Sequence, residues 1–238
     1  MTDRNECIEQ DAQDLWSQSS DRDLIRDYAH WQGSGRWKDE RAWLTIGENT
    51  YAKFRRYCRL LSVDPEKRTM LEWGTGGGSN IVRFGQEWRT CFGVDISTAS
   101  LEEVMRQCRE REVPATFRPC LVPAKDPDHI KTLVDEPIDL FLSTAVFQHF
   151  PSQAYGYHVI VLAAQMLKKG GLAFIQIRYD DGHEKFKSRS EKYDVYAIRF
   201  TSYKIDEFWK VMHGFNIVPI AVDLDPNVNY ATFFGRKA

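Results

Sequence analysis

A glycine-rich segment carries the strongest chemical signal in the chain, and it reads Met70-Leu71-Glu72-Trp73-Gly74-Thr75-Gly76-Gly77-Gly78-Ser79-Asn80. An apolar run leads into the glycines, and the next apolar run ends at Asp95, 21 positions after Gly74. Glycine lets a backbone turn sharply and approach a ligand closely, because it has no Cβ. A carboxylate about 20 residues beyond such a loop is where nucleotide-binding sheets hold ribose hydroxyls. The segment therefore predicts a site for a nucleoside-bearing cofactor.

A second group of polar side chains follows the apolar run Ile138–Val146. Ser143, Thr144 and His149 lie at its end or just beyond it. Open α/β sheets bind ligands at the carboxyl ends of their strands, so we expect the substrate to meet the cofactor there. His149 is the candidate general base, because an imidazole can accept a hydroxyl proton near neutral pH. Lining of the pocket, or a purely structural role, are the alternatives for this histidine.

The loop after the fifth predicted strand also contains groups that can exchange protons. Asp180 and His183 are its candidate catalytic residues, within Arg178-Tyr179-Asp180-Asp181-Gly182-His183-Glu184. The alternative is a solvated loop with no part in catalysis.

Composition excludes several classes of protein. The 32 basic and 34 acidic residues of the 238 nearly cancel, so no basic excess indicates a nucleic-acid partner. Five scattered cysteines without a CxxC pair are typical of a reducing compartment. The polar segment Met1–Asp14 does not look like a signal peptide, and no apolar run approaches the about 18 residues of a membrane span. We expect a cytoplasmic protein.

Strands and helices alternate from residue 69 onward, which predicts a mostly parallel, three-layer α/β sheet. The predicted strands are Thr69–Trp73, Thr90–Asp95, Ala115–Leu121, Ile138–Val146 and Leu172–Tyr179. The predicted helices are Ser79–Glu87, Ser97–Glu110, Ile130–Val134, Tyr155–Leu167, Ile205–His213 and, before the first strand, Tyr51–Leu61. Lys168-Lys169-Gly170-Gly171 is expected to end the fourth of these as a glycine stop. Phe215–Val222 and Asn229–Arg236 predict a C-terminal antiparallel hairpin.

These pieces, in this order, resemble the class I S-adenosylmethionine-dependent methyltransferases over about residues 55–238. The resemblance rests on the glycine loop with Asp95, on Asp139–Phe150, on Leu167–Leu172 and on the terminal hairpin. It implies a Rossmann-like, seven-stranded sheet and S-adenosylmethionine as the cofactor. Metal-dependent relatives use an Asp-Asn pair that is lacking here, so no metal is expected.

The resemblance also implies roles for individual residues. Glycines of the loop would let the backbone pass close to the methionine and ribose parts of the cofactor, and Glu72 would face the loop or the cofactor's ammonium group. Asp95 would accept both ribose hydroxyls, and Ile96 and Leu121 would flank the adenine. The complete set of predicted cofactor-binding residues is Glu72, Gly74, Thr75, Gly76, Gly78, Asp95, Ile96, Leu121 and Ser143.

The first part of the chain is rich in aromatic residues. We predict that residues 1–54 form a helical cap over the substrate and that residues 55–238 form the cofactor-binding domain. Aromatic faces suit a flat ring or a sugar as the acceptor, although the aromatic residues can equally pack against the domain. The aromatic residues of this part, continued into the next helix, are Trp16, Tyr28, Trp31, Trp37, Trp43, Tyr51, Phe54 and Tyr57.

The expected function is methyl transfer to a small-molecule or saccharide acceptor, most readily at oxygen, by in-line displacement. Transfer to nitrogen of a small molecule remains open. Two other classes fit the glycine loop: a NAD-dependent oxidoreductase and a catalytically silent cofactor-binding module. Ser143-Thr144-Ala145-Val146 lacks the Pro-Pro-aromatic motif of exocyclic-amine nucleic-acid methyltransferases, so a nucleic-acid substrate is not expected.

Overall fold

The core of the protein is one seven-stranded sheet. The structure is a computed structural model that describes residues 2–238, and Met1 of the predicted cap lies outside the described residues. The strand order is β3-β2-β1-β4-β5-β7-β6. The strands are β1 (Thr69–Trp73), β2 (Thr90–Asp95), β3 (Thr116–Leu121), β4 (Ile138–Ser143), β5 (Leu167–Arg178), β6 (Ile217–Asp225) and β7 (Tyr230–Lys237).

The first five strands are parallel, and β7 and β6 form the predicted antiparallel hairpin at the edge beside β5. All six residues of β4 are buried, as its apolar sequence indicates for a central strand. This order brings the carboxyl ends of β1, β2, β4 and β5 to one edge of the sheet. The predicted three-layer, Rossmann-like architecture is confirmed.

Helices cover both faces of the sheet. They are α1 (Thr2–Ser17), α2 (Asp23–Tyr28), α3 (Glu40–Leu60), α4 (Ser79–Phe84), α5 (Thr98–Glu110), α6 (Ile130–Leu133), α7 (Gln153–Met166), α8 (Tyr193–Tyr196) and α9 (Ile205–Gly214). One apolar cluster joins the sheet to α3, α4 and α5, and a second joins its other face to α6, α7 and α9. Among residues 2–238, no helix has both the length and the apolar character needed to cross a membrane.

Several predicted element boundaries differ from the structure, and two of these differences change the packing. The helix α3 begins at Glu40, where Asp39 caps it by accepting a hydrogen bond from the Ala42 N–H at 2.7 Å. It therefore runs through the predicted domain boundary at residue 54. The segment predicted as a glycine stop after α7 belongs to β5 instead, and Lys168 there forms an ion pair with the buried carboxylate of Asp139 on the neighbouring strand.

The segment before α3 packs over the edge of the sheet where the parallel strands end. Its α1 and α2 share an apolar cluster with the later segment around α8, including Leu15, Ile25, Tyr193 and Phe200. Trp43 is completely buried, and its indole N–H donates to the His30 carbonyl at 2.7 Å. These contacts fix the N-terminal segment against the rest of the molecule.

Gly47 in α3 allows this helix to lie directly on the start of α4. A Cβ at Gly47 would overlap the carbonyl oxygen of Ser79, which is backbone and has little room to move. We predict that Gly47→Ala destabilises the fold by roughly 1–3 kcal/mol, because overpacking outweighs the gain in helix propensity. Chemical denaturation of both proteins measures this difference.

Gly214→Ala is the matched control, since nothing lies within 4 Å of a Cβ at that position. It is expected to change stability by no more than about 1 kcal/mol. If Gly47→Ala is as stable as the wild type, close contact between α3 and α4 does not constrain the fold.

Candidate active site

A cavity of about 400 Å³ lies at the edge where the parallel strands end. Residues at the ends of β1, β2, β4 and β5 form its floor, and residues from α1 to α3 cover it. Its described lining is buried or half-buried except for Asn49, which is exposed on α3. The cavity is therefore partly open to solvent, and the side next to Asn49 on α3 is called its mouth below.

Glu72, at the end of β1, places a carboxyl group in the cavity wall that is 1% exposed. Asn80 donates to Glu72 Oε1 at 2.6 Å and to Thr144 Oγ1 at 3.0 Å. Glu72 Oε2 and Asn80 Oδ1 are both buried and have no protein partner. Burial is the main cause that raises the pKa of Glu72 to about 8. Two adjacent acceptors are thus left for a donor in the cavity.

Asp95, at the end of β2, is held by backbone N–H groups on both sides. Its Oδ2 accepts from Gly76 at 3.0 Å and its Oδ1 accepts from Ser97 at 2.9 Å. Burial raises the pKa of Asp95 to about 6, although these hydrogen bonds favour the ionised form. Ser97 also caps α5 as the sequence predicted, by accepting from the Ser100 N–H at 3.3 Å.

The glycines of the loop serve two different purposes. Gly74 and Gly76 line the cavity with positive φ angles of 80° and 49°. A Cβ on Gly76 would overlap the carbonyl oxygen of Ala29, and a Cβ on Gly77 would overlap that of His30. The Gly77 N–H donates to the Ala29 carbonyl oxygen at 2.7 Å. The absence of side chains here thus admits the N-terminal segment as well as a ligand.

Gln13 on α1 connects that segment to the ends of two strands. Its side-chain amide donates to the Ile96 carbonyl at 2.6 Å and accepts from the Ala124 N–H at 2.9 Å. The Ser19 and Ser97 hydroxyls are 2.8 Å apart and form a second contact beside it. Because Ile96 and Ala124 line the cavity, these bonds close its end at β2 and β3.

His149 lines the cavity in a defined tautomer. Its Nδ1 lies 2.7 Å from the Ala197 carbonyl, which can only accept, so Nδ1 carries the proton and Nε2 keeps a lone pair. The Gln148 amide nitrogen is 3.4 Å from Nε2, and Trp16 packs edge-on at 4.9 Å between ring centroids. Burial lowers the pKa of His149 to about 4, so the imidazole is neutral at neutral pH.

The sequence analysis did not identify His30, which also lines the cavity. Burial, followed by the charge of His149, lowers the pKa of His30 to about 4. Its φ of 58° is a conformation that few non-glycine residues adopt, and the Trp43 indole holds its carbonyl. The only feature of the sequence that could have pointed to His30 is its position between Tyr28 and Trp31 in the aromatic segment.

One face of α3 forms the wall near the mouth. Its residues lie at helical spacing i, i+3, i+4 and i+7, namely Ile46, Asn49, Thr50 and Lys53. Phe174 and Gln176 of β5 and Thr232 of β7 face them from the sheet. Periodicity alone could not have shown that this polar face of the helix borders a cavity.

The structure does not bring every predicted site residue to the cavity. Asp180 and His183 lie outside its lining, and their side chains accept backbone hydrogen bonds within their own loop. Leu121 is 43% exposed, and its neighbour Val122 lines the cavity instead. Ser143 is buried and donates to the Trp73 carbonyl at 3.0 Å.

Gly78 also lies outside the lining. With a φ of 86°, it turns the chain into α4, and a Cβ there would press on Val104. The remaining predicted cofactor residues all line the cavity: Glu72, Gly74, Thr75, Gly76, Asp95 and Ile96.

The central part of the chain matches a known domain. The family model described as a methyltransferase domain matches residues 71–175, which span the five parallel strands from β1 into β5. No curated protein sequence matches the chain significantly.

Solved structures of methyltransferases share the fold at low sequence identity. A magnesium protoporphyrin IX methyltransferase from Synechocystis, with bound S-adenosylhomocysteine, superposes with a TM-score of 0.66 at 11% identity, covering 95% of this chain and 98% of that one. An S-adenosylmethionine-dependent methyltransferase from Clostridium acetobutylicum gives 0.59 at 14% identity, covering 79% and 91%. A 1,6-didemethyltoxoflavin-N1-methyltransferase from Burkholderia thailandensis gives 0.52 at 17%, covering 71% of each chain.

The matched domain places the glycine loop, Asp95 and the β4 segment in a methyltransferase sequence pattern, and the fold that surrounds them is the methyltransferase fold. The cavity lies at the sheet edge where this fold places its ligands. Residues 71–175 therefore match a methyltransferase domain, and the chain has the fold of S-adenosylmethionine-dependent methyltransferases.

Proposed function

We propose that the protein transfers the methyl group of S-adenosylmethionine to an oxygen of a small-molecule acceptor, and that both bind in the cavity described above. The observation that carries the choice of oxygen is the neutral His149, whose unprotonated Nε2 has the Gln148 amide nitrogen at 3.4 Å and can exchange this donor for an acceptor hydroxyl. When bound, the cofactor supplies a methyl group already activated by its sulfonium charge. The protein's own residues then have to bind, align and remove a proton.

The acceptors left unpartnered at the end of β1 fit the cofactor's ammonium group. Glu72 Oε2 and Asn80 Oδ1 are adjacent through the hydrogen bond that joins their side chains. An ammonium group has several N–H donors and a positive charge, so it can satisfy both acceptors and favour ionised Glu72. A pyrophosphate would instead meet a carboxyl group here, which argues against NAD.

Asp95 is the proposed partner of the ribose hydroxyls. Each of its oxygens accepts one backbone N–H, which leaves further acceptor capacity toward the cavity. Ile96 and Val122 lie on the same side of the cavity and can flank the adenine. Val122 takes the role that the sequence analysis gave to Leu121.

His149 is the proposed proton acceptor. An acceptor hydroxyl that takes the methyl group, as the bond from the methyl carbon to sulfur breaks, would become an oxonium, which is a far stronger acid than the original hydroxyl. A neutral imidazole can take that proton even with a pKa of about 4. The bond from Nδ1 to Ala197 orients the ring for this step.

Charge in the lining favours an uncharged nucleophile. The carboxyl groups in the described lining are Glu72 and Asp95, both assigned above to the cofactor. A protonated amine would find no further carboxylate to replace its hydration. The cavity volume of about 400 Å³ suits a small acceptor and not a polymer.

Residues 1–54 are the proposed cap of this site. Ala12, Trp16 and Tyr28 cover the cavity, and Gln13 fastens the cap to the ends of β2 and β3. Exclusion of water strengthens the electrostatic contacts to both ligands and holds them in line, and such orientation supplies roughly 7–11 kcal/mol.

Glu72→Gln tests the ammonium site in two ways. A carboxyl group whose folded pKa is raised to about 8 destabilises the fold increasingly as pH rises from 4.5 to 8, because in this range the folded state keeps the proton and unfolding releases it. The variant should therefore have a higher melting temperature than the ligand-free wild type. The difference in melting temperature should increase from pH 4.5 to pH 8, and each kcal/mol of unfolding free energy corresponds to roughly 2–4 °C.

The same variant should bind S-adenosylhomocysteine at least about tenfold more weakly, because a neutral amide cannot pair with the ammonium charge. Calorimetry measures the affinity, and thermal melts at pH 5 and pH 8 measure the stability. Unchanged affinity would remove Glu72 from the cofactor site, and a pH-independent melting difference would show that its carboxyl is not buried as described.

His149→Ala should lower kcat by about 10²–10⁴-fold while leaving the dissociation constant of S-adenosylhomocysteine within about twofold, because a general base acts on the chemical step. Transfer of a labelled methyl group to a panel of small hydroxy compounds measures turnover. In the wild type saturated with both substrates, kcat should stay level from pH 6 to pH 8, since burial keeps the imidazole neutral there.

His158→Ala is the matched control, because His158 contacts Asp128 on the surface and lies outside the cavity lining. Asp180→Ala and His183→Ala should likewise retain wild-type turnover. Methyl transfer only to amines, or wild-type turnover by His149→Ala at every pH, would contradict oxygen methylation with His149 as the base.

A further inference from the structure

Lys53 occupies a distinctive place at the mouth of the cavity. It is the one lysine or arginine among the described lining residues, and its side chain is 37% exposed. It lies one helical turn beyond Asn49, the exposed residue of the lining. A molecule entering by this mouth therefore passes the Lys53 ammonium.

The partner of Lys53 lies on the outermost strand of the hairpin. Lys53 Nζ is 2.8 Å from Asp223 Oδ2 on β6, and the Asp223 side chain is 39% exposed. The Tyr57 hydroxyl faces the same carboxylate, which together with burial raises the pKa of Tyr57. Asp223 would thus keep a hydrogen-bond donor if Lys53 turned toward a ligand.

A row of polar side chains leads from the reaction centre to this ion pair. Gln176 on β5 is in register with Thr232 on β7, and Thr232 is in register with Asp223 on β6. At the inner end of the row, Gln176 accepts from the Ala145 N–H at 3.0 Å, just beyond β4. The row thus extends along the floor of the cavity from the end of β4 toward Lys53.

The sheet spacing sets the length of this path. β4 and β6 are separated by β5 and β7, so three strand spacings cover about 14 Å. The Lys53 ammonium lies at the far end of this path, 2.8 Å from Asp223, and rotation of the lysine away from Asp223 toward β4 would shorten the gap that an acceptor has to span to on the order of 10 Å. An acceptor that reaches both points has a single ring and a short side chain as its natural size.

We propose that Lys53 selects acceptors that carry a carboxylate, with the methylated oxygen at the other end of the molecule. This inference rests on the methyl transfer proposed above and adds the chemical class of its acceptor. The substrate carboxylate replaces Asp223 as the partner of Lys53, and Asp223 keeps the Tyr57 hydroxyl. Hydroxyaryl carboxylic acids have both groups at the required separation.

The carboxylate of the cofactor's methionine part is the alternative partner for Lys53. Glu72 and Asn80 lie on β1 and α4, and β1 is four strand spacings, about 19 Å, from the strand of Asp223. The methionine carboxylate is attached to the same carbon as the ammonium group, so it stays near Glu72. The acceptor is therefore the better partner for Lys53.

The test uses the full-length protein saturated with S-adenosylmethionine or S-adenosylhomocysteine. The probes are para-hydroxyphenylacetate and para-hydroxyphenylpropionate with their meta isomers, each paired with its primary amide. Methyl transfer gives kcat and KM, and calorimetry on the S-adenosylhomocysteine complex gives binding. Lys53→Met, Lys53→Arg and Asp223→Asn are compared with Lys210→Met, which removes an exposed lysine paired with Asp206 on α9.

Acids are expected to bind and react better than their amides by about tenfold or more. Lys53→Met should raise KM for the acids by a similar factor, with kcat little changed. Lys53→Arg should retain most of the preference for acids over amides. Asp223→Asn should lower KM for the acids, because it removes the carboxylate that competes for Lys53. Lys210→Met should match the wild type, and melting temperatures should confirm that all variants fold.

Equal use of acids and amides, or no binding of any acid at millimolar concentration, would overturn the inference. So would a tenfold loss of S-adenosylhomocysteine affinity in Lys53→Met, which would assign the lysine to the cofactor's carboxylate. Failure of the wild type to bind S-adenosylhomocysteine would instead contradict the proposed function, so the two failures are distinguishable.

Discussion

The site depends above all on the close approach of two backbone segments, the glycine loop after β1 and the stretch around Ala29 and His30. Gly76 and Gly77 have no side chains at the points where those carbonyl oxygens lie, and the Gly77 N–H donates to one of them. This approach brings Trp16, Tyr28 and His30 over the carboxyl ends of the strands. Without it, the sheet would still present Glu72 and Asp95, but at an open surface where water would screen both carboxyl groups.

Enclosure explains the electrostatics of the cavity. Burial raises the pKa of Glu72 and Asp95 and lowers the pKa of His30 and His149, so every one of these shifts favours the uncharged form. A cationic ligand reverses this preference for the carboxyl groups and strengthens it for the imidazoles. The same enclosed space can thus hold a sulfonium beside carboxylates and keep a histidine free to accept a proton.

The sequence predicted the sheet and the hairpin, and most of the residues that it assigned to the cofactor line the cavity, because these depend on local patterns: apolar runs, glycine turns and a carboxylate at fixed spacing. It could not show that Val122 and not Leu121 lines the cavity, since a shift of one residue in a strand reverses the face on which a side chain lies. His30, Gln13 and Lys53 were missed for another reason. Each depends on a contact between distant parts of the chain, and no periodicity records such contacts.

The bonds of Gln13 to Ile96 and Ala124 also have a kinetic consequence. They join α1 to the ends of two strands and close one end of the cavity. A ligand that passes this end can do so only after both bonds break, so its observed binding rate would level off at the opening rate as its concentration rises. A ligand that passes beside α3 would not be subject to this limit, so the kinetics of entry would differ between the two ends of the cavity.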